Sequence, residues 1–271
     1  MMVVELRKLA VCLCAFFALV SSASMAQGQN QNSGAASGDN SATAAKPKDM
    51  VTRAKLHTEL GALYFQSGNL IVALEELTIA TAINPDYAPA FSTRGLVLYY
   101  IKEMASAESD FKRALSIAEN DPEINNNYGW FLCQTGKERE ALPYFDKAMK
   151  NPLYQTPGLA YLNAGACYIK LRELETAEEH IRKSLRLMPE NSQALFQLAN
   201  ILYLKGNYDA AQEYLKRVTR SNEPSAEVLW LYLRVERRLG DSSAENSLAA
   251  QLRRKYPDSP EYQEFLRGKF E

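Results

Sequence analysis

The chain has 271 residues, of which 46% are hydrophobic and 23% charged, and its formal net charge is -1. That is ordinary globular usage, with length for one or two compact domains or one extended repeat array. Lys and Arg alternate with Glu and Asp along helical patterns such as 173–186. This excludes the basic excess or stripe of a nucleic-acid binder and fits solvated helix faces with i,i+4 pairs.

In chain order, Arg7 and Lys8 precede an apolar run from Leu9 to Val20. The run has signal-peptide length and is short for a membrane span. Ser24-Met25-Ala26 offers small side chains at the two positions a signal peptidase must accept. Residues 1–26 are therefore expected to be a signal peptide cleaved before Gln27. Cleavage after Ala23 is the nearby alternative, and an uncleaved anchor the competing reading. Residues 27–50 read as a flexible linker. Gln27 to Gly38 carries no aromatic or large aliphatic residue to offset its ordering entropy, and Pro47 closes the stretch.

The rest, 51–271, repeats. Gly61, Gly95, Gly129, Gly165, Ala199 and Leu233 follow one another at spacings of 34, except for 36 between Gly129 and Gly165. The two extra residues lie around Tyr154 to Pro157. Twelve residues after each of the first five markers comes an alanine: Ala73, Ala107, Ala141, Ala177 and Ala211. Four further on come Leu77, Phe111, Phe145, Ile181 and Leu215. Prolines such as Pro85, Pro122 and Pro189 separate the units, because proline cannot continue a helix. Small residues at fixed places let two antiparallel helices approach, and the large residue fills the groove between them. This period and pattern are those of the tetratricopeptide repeat (TPR). The expected fold is all-α, a right-handed superhelical solenoid of six helix-turn-helix repeats at about 54–87, 88–121, 122–157, 158–191, 192–225 and 226–259. The sixth, with Leu233 and Glu245 in place of the small residues, reads as a terminal cap.

In such arrays the first helix of each unit lines the inner face. Repeat arithmetic sends Phe65, Tyr99, Tyr100, Asn126, Trp130, Phe196, Asn200, Tyr203 and Trp230 there. The set suggests a protein-binding groove with aromatic anchors and amides that read a peptide backbone. Packing against neighbouring units is the competing explanation. Catalytic chemistry is not indicated. His57 falls in a core column and His180 on an outer helix face. Glu75-Glu76 and Glu178-Glu179 read as helix-surface acids. No phosphate loop, nucleophile elbow or metal-spaced cluster is present, so neither a cofactor nor a metal is expected. Cys12 and Cys14 leave with the signal peptide. Cys133 and Cys167 remain, on first helices that should be neighbours. In an exported protein they are candidates for a disulfide, with two buried free thiols as the alternative.

The run Asn126-Asn127-Tyr128-Gly129-Trp130-Phe131-Leu132-Cys133-Gln134-Thr135-Gly136 resembles the PilW/PilF family of type IV pilus biogenesis/stability proteins, the secretin pilotins. Tyr161 to Tyr168 is similar to the same family, and the resemblance extends over the repeat region. It implies a periplasmic protein at the outer membrane whose partner is the pilus secretin and whose role is to assist secretin multimer assembly. Fibre stability, twitching motility and adhesion would depend on it. Separately, the chain is expected to be a monomer, although the sequence leaves dimerisation of the array open. One departure stands out. The family commonly carries a lipid-modified cysteine at the end of the apolar run, but here Cys12 follows only Leu9, Ala10 and Val11, and the site after Ala26 has no cysteine. Membrane association would then come indirectly, through a partner. A general periplasmic scaffold for envelope maintenance is the alternative function.

Overall fold

The structure, a computed structural model, describes residues 47–221 and 223–270. The expected signal peptide and most of the expected linker lie outside these residues. Among the described residues there are thirteen helices and no strands. Six antiparallel pairs come first: α1 (Pro47–Gln66) with α2 (Leu70–Ile83), α3 (Ala88–Tyr100) with α4 (Met104–Ile117), and α5 (Pro122–Gln134) with α6 (Glu138–Lys150). Then come α7 (Pro157–Lys170) with α8 (Leu174–Leu187), α9 (Ser192–Leu204) with α10 (Tyr208–Ser221), and α11 (Ala226–Leu239) with α12 (Ser242–Lys255). A short α13 (Pro260–Leu266) follows. The first helix begins at Pro47, ahead of position 51, because Pro at the first helical position loses no hydrogen bond.

The repeated small residues set the distance between paired helices. A Cβ placed on Gly165 would sit 2.5 Å from Cδ1 of Ile181, and one on Gly129 would sit 2.9 Å from the Phe145 ring. At Gly61 the same atom would meet Leu77 at 2.6 Å. The large residues that fill these contacts, Leu77, Phe111, Phe145, Ile181 and Leu215, are all fully buried. Together with the alanine column they form a core that runs the length of the array.

Loop chemistry starts and stops the helices. Asp121 caps α5 by accepting from the amides of Glu123 and Ile124, and Asn191 and Ser225 cap α9 and α11 in the same way. Inside each pair the turn needs one residue in the left-handed region. Gly68, Gly136, Gly206 and Gly240 supply it at φ near +80°, while Lys102 and Arg172 take φ of 71° and 63° at the equivalent places. The two extra residues between the third and fourth units form a loop whose Tyr154 packs onto Ala148 and Ala160. In the sixth unit, where Glu245 replaces the alanine, its carboxylate accepts from Arg237 at 2.8 Å.

First helices of adjacent units touch one another, and no pair of adjacent second helices does so comparably. The stack therefore curves with the first helices inside, a superhelical solenoid of tetratricopeptide repeats. No helix among the described residues is long and apolar enough to cross a membrane.

Candidate functional site

The inner face of units two and three carries an aromatic ladder. Trp130 of α5 lies 4.8 Å edge-on from Tyr99 and 6.0 Å, nearly parallel, from Tyr100 of α3. The two tyrosines meet edge-on at 5.4 Å. All three are half-buried, so each offers a ring face or edge to solvent while packing fixes its orientation. Phe196 and Asn200 on α9 are also half-buried. These five are the groove-column residues the structure leaves accessible.

The other four are covered, which corrects the expectation of an open groove along the whole array. Phe65 is 1% exposed because Tyr100, from the next first helix, closes over it at 5.3 Å. Asn126 is buried and accepts from the Asn163 amide at 3.0 Å, tying α5 to α7. Tyr203 and Trp230 are buried beneath α13 and the residues after it. Repeat arithmetic treats every unit alike and cannot see a segment that returns from beyond the last unit.

The histidines also differ from their columns. His57 is not in the core: about a third of its side chain is exposed, and Nδ1 lies 2.6 Å from Glu76 of α2. His180 hydrogen-bonds the Thr176 carbonyl and packs between the rings of Tyr161 and Tyr168. His57 thus pairs with a carboxylate and His180 with a main-chain carbonyl. Glu178 lies in an ion-pair cluster, where the hydrogen bond from Lys205 and then that from Arg182 hold its carboxyl below the usual range. Among the described residues no cluster of His, Cys, Asp and Glu could hold a metal ion.

Cys133 on α5 and Cys167 on α7 are joined in a disulfide, Cα atoms 5.8 Å apart. Both sulfurs are buried in the core between units three and four. One turn further on, Lys170 donates to the Cys133 carbonyl at 2.9 Å and to Gln134 at 3.0 Å. The ladder residue Trp130 thus stands on a helix held to its neighbour by a covalent bond, an amide pair and an ammonium. At the start of the same helix, Glu123 is pushed up to about 7 by burial and then by Asp121.

One surface escaped the repeat reading. Leu56, Leu60 and Leu63 stand one or two turns apart on α1 and are 58%, 38% and 49% exposed. The same three columns in later units are filled by residues such as Ile124, Tyr128 and Phe131, or Ala194, Leu198 and Ile201, all buried against the preceding unit. Among the described residues, unit one has no preceding unit, so its stacking face is open. The signal was in the sequence: an apolar column that continues to the first helix.

Comparison with known proteins agrees with this architecture. A tetratricopeptide-repeat family model matches residues 168–232. The type IV pilus assembly protein PilF of Pseudomonas aeruginosa is 30% identical over 209 residues, which is 77% of this chain and 83% of that protein. The crystal structure of PilW, described as a widely conserved type IV pilus biogenesis factor, superposes with a TM-score of 0.71 at 33% identity, covering 79% of this chain and 98% of that one. The Pseudomonas aeruginosa PilF structure gives 0.70 at 28% identity over 82% of this chain and all of that one. With the repeats, the packing and the length of the match in accord, the chain belongs to the PilF/PilW family of type IV pilus biogenesis TPR proteins.

Proposed function

We propose that this protein is exported to the periplasm, binds the outer-membrane pilus secretin and assists its assembly into multimers. It works by binding, not by catalysis. The observation that carries the reading is the similarity to PilF over most of both chains. Export rests on the apolar N-terminal run and the small residues that follow it. Membrane association comes through the partner, and the chain acts as a monomer.

Two surfaces suit a protein partner. The open face of unit one presents Leu56, Leu60 and Leu63 as a helix-packing stripe. It would receive an amphipathic helix much as each later unit receives its predecessor. The ladder of Tyr99, Tyr100 and Trp130 offers rigid aromatic anchors, the residue types that dominate binding energy at interfaces.

The test is to delete the gene, restore it with the native sequence, Leu60→Asp or Trp130→Ala, and measure secretin multimers and monomers in the envelope. Deletion should deplete multimers while monomer persists. Leu60→Asp should fail to restore them if the open face is the docking surface, and Trp130→Ala if the ladder is. Multimers unchanged by deletion would sink the secretin role, and envelope defects without pilus defects would favour a general scaffold.

A further inference from the structure

The inner face of units five and six is not empty. Helix α13 ends in a paired turn: the Gly268 amide donates to Phe265 O and the Lys269 amide to Glu264 O, each at 3.0 Å, with Gly268 at φ +66°. This turn sends the chain back across α11 towards α9. The Phe270 ring lies beneath the Arg237 guanidinium, 3.8 Å from ring centroid to Cζ, and 5.5 Å from Trp230. The Phe270 carbonyl accepts from the Tyr203 hydroxyl at 3.2 Å, a contact across 67 residues of sequence. Trp230 in turn donates from Nε1 to Glu264 at 3.0 Å.

Tyr203, Trp230 and Arg237 come from inward-facing columns of first helices, the columns that present Tyr99 and Asn126 in earlier units. Glu264 and Phe265 of α13 cover Trp230 on one side and Arg234 lies over both Trp230 and Tyr203; the rest of the cover is a short strap. Residues 266–269 are exposed, and Phe270 itself is only half-buried. The strap is held by one ring against a cation, an indole and the edge of Phe265, and by one main-chain carbonyl. That is how a groove holds a peptide: an aromatic anchor for affinity and a backbone contact for direction.

We propose that the inner face of units five and six is a peptide-binding site occupied in cis by residues 267–270, and that its ligand class is a short segment bearing an aromatic side chain next to an available main-chain carbonyl. A partner segment of that kind enters by displacing the strap. The tether gives the strap an effective concentration on the order of millimolar, so it excludes weak competitors and yields to stronger ones. The proposal is independent of which protein the rest of the array binds.

The probe is a synthetic peptide of residues 266–271, Leu-Arg-Gly-Lys-Phe-Glu, added to the purified protein and followed by tryptophan emission and by NMR of the indole N–H. Phe270→Ala empties the pocket while keeping its walls. Gly268→Pro leaves both the pocket and Phe270 intact but forbids the turn, because proline cannot take φ +66° and has no amide to donate. Both variants should bind the peptide about ten-fold or more tightly than the native protein, the factor by which a millimolar tethered competitor weakens a ligand of roughly 0.1 mM affinity. Adding Arg237→Ala to Phe270→Ala should abolish that gain. If both single variants keep native circular dichroism yet bind no better than the native protein, or if both unfold, the strap is a fixed part of the core and the proposal fails.

Discussion

Gly165→Ala decides whether the close approach of paired helices is as tight as the geometry states. Two effects oppose one another. Removing glycine from a helix interior should stabilise by roughly 0.5–1 kcal/mol, since glycine loses more backbone freedom on folding than alanine. Against that, the new Cβ would lie 2.5 Å from Cδ1 and 2.7 Å from Cγ1 of Ile181, with the Ala177 carbonyl at 3.3 Å behind it. Ile181 is fully buried and packed among Leu162, Ala177 and Leu195, so it has no open side to move into. Overpacking of this kind costs about 1–3 kcal/mol. The clash should win, leaving a net destabilisation of about 1–2 kcal/mol. The partner change Ile181→Val removes the nearest atom and on its own should cost about 0.5–1.5 kcal/mol. In the double variant the 2.5 Å contact is gone while the carbon at 2.7 Å remains, so the clash is relieved in part and the two losses should fall short of additivity by about 0.5 kcal/mol. Urea unfolding followed by far-ultraviolet circular dichroism at all four corners of the cycle measures this. A Gly165→Ala protein as stable as the native one, or a strictly additive double variant, would refute the close-packing account.

Three further outcomes follow from other parts of the molecule. Arg172→Gly should stabilise by about 0.5–1 kcal/mol in the same assay. It relieves a left-handed conformation worth about 1–2 kcal/mol in an exposed turn and gives back part of that through greater freedom in the unfolded chain. Replacing Cys133 and Cys167 by serine should cost about 4 kcal/mol by the chain-entropy model for a bridge spanning 34 residues, and dithiothreitol should then have no additional effect on the unfolding midpoint. Glu123→Gln should alter the pH profile of stability. The folded carboxyl titrates at about 7, above its unfolded value, so its contribution is fully present below the unfolded pKa and lost as pH rises through 7. The glutamine variant should therefore gain on the native protein between pH 5 and 8, and show a flatter profile when melting temperatures are compared across that range.

The repeat core was legible because it depends on residues at fixed separations. Gly61, Ala73 and Leu77 meet in the structure for the same reason that Gly129, Ala141 and Phe145 do. A second column was equally visible and went unused: Gly68, Gly136, Gly206 and Gly240 mark the turns inside the units, and Lys102 and Arg172 conceal the pattern at the other two. The groove was only partly legible. Which columns face inward follows from the period, and Tyr99, Tyr100 and Trp130 lie there as a mutual cluster. Whether an inward residue is open depends on what reaches it from elsewhere. Phe65 is closed by the unit after it, and Tyr203 by a residue 67 positions away, and no local spacing encodes either contact. His57 shows the same limit at the array's edge, where a column that is buried at Asn125, Leu195 and Leu229 is half-open and pairs with Glu76.

The two ends of the array are chemically unequal, and this bears on how it can assemble. Stacking a second copy onto the first, unit six against unit one, requires an open face at both ends. At unit one that face exists in Leu56, Leu60 and Leu63. At unit six the corresponding surface is taken by α13, whose Tyr262 and Phe265 pack with Trp230, Leu248 and Leu252. Extension of the solenoid by further copies is therefore blocked at one end by a helix that is part of the same chain. Among the described residues the array is thus chemically polar, closed behind by α13 and open in front at the stripe on α1.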